Sequence, residues 1–354
     1  MITNPTPQRA LRGHMPQRPT PRAATTGEHH AHLAGRLTLR DRWLVRMLHE
    51  HRVFTTQQLV EMAFPTTRAA NHRLLDLFKW RVVDRFQPFV TSGTAPMHYV
   101  LDIAGAVALA YEDGLDPKKL AYRHEDAIGI AHSLRLAHTV GVNGFFSTLV
   151  ALSRRPCARG RLTAWWSELR CGRHFGDMAR PDAYGRWRED GHEIEFFLEF
   201  DFGTEDLGTL ASKLHGYERL ATTTGITTPV LVWLPTNRRE TSARHALTDA
   251  LSQLDRPTLV PVATSAADVA GVAGENNPAV ARWLPISGPS ARRPGRLRLV
   301  ELAQLWPHTD TTQTTQPSIQ PSTSTTSQQA PAELAAPAPL PPRPPTSRFP
   351  RGEP

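Results

Sequence analysis

Apolar positions recur at helical spacing in the first third of the chain and alternate with polar ones in the middle. After Thr38, the residues Trp43, Leu44, Met47 and Leu48 fall three and four apart with Asp41 in the first turn, so a helix capped by Thr38 is predicted. Thr55 or Thr56 opens a second, short helix through Leu59, Val60 and Ala63. Pro65 and Thr66 begin a third that runs to about Trp80, with Ala70, Leu74, Leu77 and Phe78 as its apolar face. Its opposite side carries Thr67, Arg68, Asn71, His72 and Lys79. Residues 82–86 and 98–101 read as two strands around a turn at 91–96.

From Glu195 onward the period becomes two. Phe196, Leu198 and Phe200 share one face, and Glu195, Phe197, Glu199 and Asp201 the other. The apolar residues on both faces predict a central strand covered on each side. Asp190-Gly191 is a hairpin turn signal, which puts Asp182 and Glu199 on neighbouring antiparallel strands. Residues 163–168 form a first strand, 229–234 a buried one and 259–263 a last one. Residues 118–152 are helical, with Leu134, Leu136, Val140 and Leu149 as core candidates, and 238–254 make an amphipathic helix after the strand at 229–234.

The predicted fold class is therefore mixed α+β and α/β: three helices and a hairpin, then a sheet flanked by helices. The helices and hairpin follow the winged helix-turn-helix plan. The sheet has the layout of the PD-(D/E)xK nuclease core, in which an acid on one strand and an E-x-K on the next bind a divalent ion. The expected divisions are a basic tail at 1–35, the winged helix at 36–115, the α/β domain at 116–305 and a tail at 306–354. Both tails read as structureless: the first is rich in Pro, Thr, Arg and His, the second in Thr, Gln and Pro. Arg9, Arg12, Arg18 and Arg22 can make a loose phosphate-binding arm.

Charge narrows the function. With 41 Lys and Arg against 33 Asp and Glu, the net charge is +8, which favours nucleic acid or an anionic surface. The 2 cysteines, Cys157 and Cys171, lack metal-site spacing and imply no disulfide framework. No GxxxxGK[ST] loop or GxSxG elbow is present. There is no run of eighteen apolar residues and no apolar signal core, so no membrane span and a cytoplasmic location are expected.

Two sets of residues carry candidate chemistry. Asp182, Glu199 and Asp201 form an acidic cluster that is unfavourable unless a cation neutralises it, and hard oxygen ligands suit Mg²⁺ or Mn²⁺. Asp201 stands where the E-x-K pattern has its lysine. Lys213, on the following helix, can reach back to the acids, with Tyr217 one turn later on nearly the same face. On the third helix, Arg68 suits guanine and Asn71 adenine in a duplex major groove, with His72 and Lys79 beside them. Thr66 and Thr67 suit phosphates at the helix start, and Arg85 and His98 would sit on the wing.

The stretches Leu39-Arg-Asp-Arg-Trp-Leu-Val-Arg-Met-Leu, Val53-Phe-Thr-Thr-Gln-Gln-Leu and Ala95-Pro-Met-His-Tyr-Val-Leu-Asp with Ala104-Gly105 resemble the replication-relaxation family. So do Arg180-Pro-Asp182, Leu198-Glu-Phe-Asp-Phe-Gly-Thr-Glu205 and the Lys213 to Tyr217 pair. The resemblance spans about residues 37–260 and implies a protein of actinobacterial plasmids or integrative elements, acting on double-stranded DNA in replication, relaxation or transfer. Relaxosome or replication proteins are its implied partners. Three functions stand open at this point. One is Mg²⁺-dependent nicking by the acid cluster. Another is metal-free regulation or recruitment, with the nuclease-like domain inactive. The last is covalent strand transfer through Tyr217.

Overall fold

The computed structural model describes residues 14–15, 19–90, 93–120, 122–269, 276–286, 295–306 and 334–342. In chain order, α1 (Gly27–Arg36), α2 (Leu39–His51), β1 (Phe54–Thr55), α3 (Thr56–Ala63) and α4 (Thr67–Lys79) lead into β2 (Val83–Phe86), β3 (His98–Leu101) and α5 (Ile103–Glu112). Then come α6 (His124–Ile128), α7 (Leu136–Ser153), β4 (Gly160–Ser167), α8 (Glu168–Phe175), β5 (Ala183–Glu189), β6 (His192–Phe200) and α9 (Leu207–Thr224). The sequence closes with β7 (Val230–Leu234), α10 (Asn237–Ser252), β8 (Val262–Ala266), β9 (Leu284–Pro285) and α11 (Glu301–Leu305).

The N-terminal helices start where their caps put them. Thr38 with Asp41, and Thr55 with Gln58, each form a reciprocal capping box, and the Thr66 hydroxyl accepts from the Ala69 amide. Ala70, Leu74, Leu77 and Phe78 are buried, and β2 and β3 pair antiparallel with β1 on the far side of β3.

The larger sheet has the order β4-β5-β6-β7-β8-β9. Strands β4, β5 and β6 run antiparallel, β6 to β8 parallel, and β9 antiparallel again. Asp190 and Gly191 both take positive φ, 51° and 82°, and make the two-residue turn between β5 and β6. One sheet face packs Phe196, Leu198 and Phe200 with Phe145 and Phe146 of α7. The other packs Phe197 with Leu214 and Tyr217 of α9 and Leu247 of α10. Gly185 is required on β5: a Cβ there would come within 2.5 Å of the Phe196 ring and 2.7 Å of Phe146.

Helix α7 is long and apolar enough to cross a membrane by length and composition, but 56% of it is buried inside the protein. It is the core helix on which the two halves meet. The Asn143 amide donates to the carbonyls of His51 and Val53, and Gln58 donates to Val140. One hydrophobic cluster runs from Leu44 through Phe145 to Trp165 and Trp283, across the 115/116 boundary expected between two domains.

Parts of both tails are built into the fold, against expectation. Residues 27–36 form α1, with Leu33 buried. Arg22 pairs with Asp102 and Asp84 and donates to the carbonyls of Phe78 and Val83, so it is a structural clamp and not part of a loose arm. Arg9, Arg12 and Arg18 lie outside the described residues. Residues 334–342 lie across the seam: Leu334 is buried, Trp43 donates to the Ala338 carbonyl at 2.8 Å, and Arg170 to the Leu334 carbonyl at 2.8 Å. A few apolar anchors suffice because the matching surface is supplied by residues nearly three hundred positions earlier.

Candidate active site

The β5–β6 pairing delivers the acid pair. Ala183 faces Leu198 across the ladder, and the Asp182 amide donates to the Leu198 carbonyl, so Asp182 and Glu199 sit side by side at one end of the two strands. Both are buried, 9% and 2% exposed. Helix α9 then crosses this end. Its Asp206 cap holds the first turn through the amides of Gly208 and Thr209, and the helical spacing brings Lys213 and Tyr217 over Glu199. Lys213 Nζ lies 2.9 Å from one Glu199 oxygen and 3.4 Å from Glu205, and the Tyr217 hydroxyl donates to the other Glu199 oxygen.

The two carboxylates are held differently. Burial opposes the charge of Asp182, but His138 at 3.1 Å, Lys213 and the Phe200 amide at 2.8 Å outweigh it, and its pKa falls below the usual carboxylate range. Burial pushes Glu199 up, to about 7, with the Asp182 charge adding to the effect and Lys213 and Tyr217 opposing it. Burial alone would lower Lys213, yet the facing carboxylates hold it above its ordinary value as a firm cation.

Asp201 departs from the expected cluster. It pairs with Arg239 of α10 and accepts from the Gly203 amide, so its charge is met by the protein itself. Among the described residues no group of three or more His, Cys, Asp or Glu side chains is arranged to hold a metal ion. What comes together is a pair of acids with Lys213 and Tyr217, and with His138 behind Asp182. Tyr217 is unsuited to nucleophilic attack: it is 4% exposed, and burial followed by the Glu199 charge raises its pKa well above the ordinary value. Glu125 and Asp126 of α6 are exposed, and it is α7 that supplies a partner to Asp182, His138. Nothing in the spacing of His138 marks it. Only the packing of α7 across the sheet brings it to Asp182.

On α4, Thr66, Thr67, Arg68, Asn71, His72 and Lys79 are all exposed. Arg85 and His98, the two residues expected on a wing, are not. His98 is 5% exposed and stacked on Phe86, and burial pushes its pKa down to about 4. Arg85 is half-buried with its guanidinium 4.3 Å from the centre of the Phe78 ring. Alternation along a four-residue strand could not tell which side would meet the helices, and both turned inward.

A two-block α/β protein with a buried acid pair met by a helical lysine is the class that this fold and site define. The chain belongs to the replication-relaxation family, whose model matches residues 45–232, more than half of its length. Membership points to a role in the replication or relaxation of plasmid or mobile-element DNA. No curated protein and no solved structure matches the chain.

Proposed function

We propose that this protein binds duplex DNA through α4 and hydrolyses a phosphodiester bond at the Asp182–Glu199 pair, nicking plasmid or mobile-element DNA. The observation that carries this reading is Lys213 Nζ at 2.9 Å from Glu199, next to Asp182. The helix supplies the cation that the strand, with Asp201 in the lysine position, does not. The strand order and the helix between β6 and β7 support a PD-(D/E)xK-like core, and the order of helices and hairpin supports a winged helix.

The donor set fits Mg²⁺. Two adjacent carboxylates, all oxygen and without thiol or a second histidine, match an ion that keeps several waters and takes one or two carboxylates plus substrate phosphate. Asp182 and Glu199 would hold it. Bound there, Mg²⁺ supplies Lewis-acid polarisation of the phosphate and lowers the pKa of water. Lys213 offers positive charge to a phosphate oxygen where charge develops. Tyr217 orients Glu199, and His138 keeps Asp182 ionised. Covalent transfer through Tyr217 is set aside because its hydroxyl is buried and committed to Glu199.

The test is conversion of supercoiled plasmid to open circles with Mg²⁺ by the full chain. Activity that survives both Asp182→Ala and Glu199→Ala unchanged overturns the hydrolytic reading and leaves the protein a metal-free DNA-binding regulator. The reader helix is tested separately by gel shift over a salt series. Arg68→Ala and Asn71→Ala should each weaken specific duplex binding by about 1–3 kcal/mol and relax the preference at one base position. Wild-type affinity in both variants removes α4 as the reader.

A further inference from the structure

Many arginines of this chain are spent on carboxylates: Arg42 and Arg46 on Glu112, Arg73 on Asp41, Arg239 on Asp201, Arg296 on Glu240. The seam between the two halves departs from that habit. A cleft of about 720 Å³ opens there, bounded by the end of α2, by α6, α7 and α8, and reaching His138 and Asp182. Arg52, Arg123 and Arg180 line it and are exposed, and among the described residues none of the three has a carboxylate partner. The acids of the cleft are largely neutralised: Glu50 by Arg170, Glu168 by Arg135 and Asp182 by His138, which leaves Asp126. Arg52 also holds φ at 70°, a left-handed backbone that costs a non-glycine residue energy and persists where packing enforces it.

We infer that this cleft is a track for a single nucleic-acid strand, with phosphates on Arg52, Arg123 and Arg180 and one end at Asp182. Its volume falls in the range of pockets that hold small molecules, about 300–1,000 Å³, the scale of a short single-stranded segment rather than of a duplex. Unpaired guanidiniums around a groove are the electrostatic half of single-strand binding, and flanking rings the other half. Tyr122 and His49 line the same walls and are only half-buried. The end point of the track rests on the hydrolytic reading of Asp182 and Glu199, but its ligand does not. Duplex on α4 and a displaced single strand in the seam would then occupy different surfaces of one molecule.

The experiment is fluorescence anisotropy with a labelled 12-nucleotide oligothymidine and with a labelled duplex, using the full chain in EDTA over a salt series. The triple variant Arg52→Ala/Arg123→Ala/Arg180→Ala should bind the single strand at least tenfold more weakly. Its log–log salt slope should fall by about two, as three lost contacts to a single strand require. Arg68→Ala/Asn71→Ala should leave single-strand binding as it was. If the triple variant melts like an unfolded chain, Arg180→Glu alone is measured and should give the same sign. The inference is overturned if wild type does not bind the oligonucleotide, if the triple variant binds it as wild type does, or if duplex binding falls by the same factor. Because no metal is present, a failed nicking assay leaves this result standing, and unchanged binding with intact nicking removes the track alone.

Discussion

Glu199→Ala and Asp182→Ala should each abolish plasmid nicking, with rates at least about a thousandfold below wild type. A bound divalent ion contributes several kcal/mol of transition-state stabilisation, and each 1.4 kcal/mol is about tenfold in rate. Lys213→Met should cost about a hundred- to a thousandfold, the loss of one charged donor. Tyr217→Phe should cost less, because the ring still packs on Phe197 at 5.4 Å between centroids and only the hydrogen bond to Glu199 goes. An order in which Tyr217→Phe is the most damaging of the four would contradict the assigned roles. Replacement of Asp201 is informative in the other direction. Asp201→Asn leaves Arg239 without its counter-charge and should alter stability more than the Mg²⁺ requirement.

The second large effect falls on the seam. Glu50 and Arg170 are buried together, 7% exposed each, and Glu50 also accepts from the Ser167 amide and hydroxyl. Glu50→Ala should destabilise by about 3–5 kcal/mol, because it removes the counter-charge of a buried guanidinium. At about 2–4 °C per kcal/mol for a body of this size, the melting midpoint should drop by roughly 10 °C. The surface pair Arg159–Asp190, both largely exposed, is the control: Arg159→Ala should cost under about 1 kcal/mol. Equal melting shifts for the two would show that the seam is not a stabilising contact.

Acid should act on the fold in two windows. Burial pushes His51 and His98 down to about 4, so the folded state keeps them neutral while the unfolded chain protonates near 6.5. Stability from these two is present above about 6.5 and is lost as pH falls toward 4. For Glu50 burial works toward a higher pKa, but Arg170 and His51 outweigh it and hold it at about 2, against an ordinary 4.5. Its contribution, on the order of 3 kcal/mol, is present above about 4.5 and is lost between there and 2. Thermal melts across pH should therefore decline from about 6.5 downward. Glu50→Ala should flatten the lower window and, by removing the charge that favours protonated His51, deepen the upper one.

Local chemistry along the chain determined a good deal of this protein. Threonine caps set the starts of α2, α3 and α4, and the Asp-Gly turn set the register that puts Asp182 beside Glu199, because these are interactions over two or three residues. Period-two alternation assigned both faces of β6, since a strand flanked by helices on each side must be apolar on each side. Spacing on α9 was enough to bring Lys213 and Tyr217 to one face.

Only the tertiary structure decided who met whom. It joined Asp201 to Arg239 across thirty-eight positions, turned His98 and Arg85 inward, and brought His138 to Asp182 by the packing of α7 on the sheet. It also drew α1 and residues 334–342 out of segments whose composition reads as coil, and merged the cores of two expected domains along α7. Ion pairs between distant elements and apolar anchors on a preformed surface leave no periodic trace. Their energy depends on geometry that the whole chain has to create first.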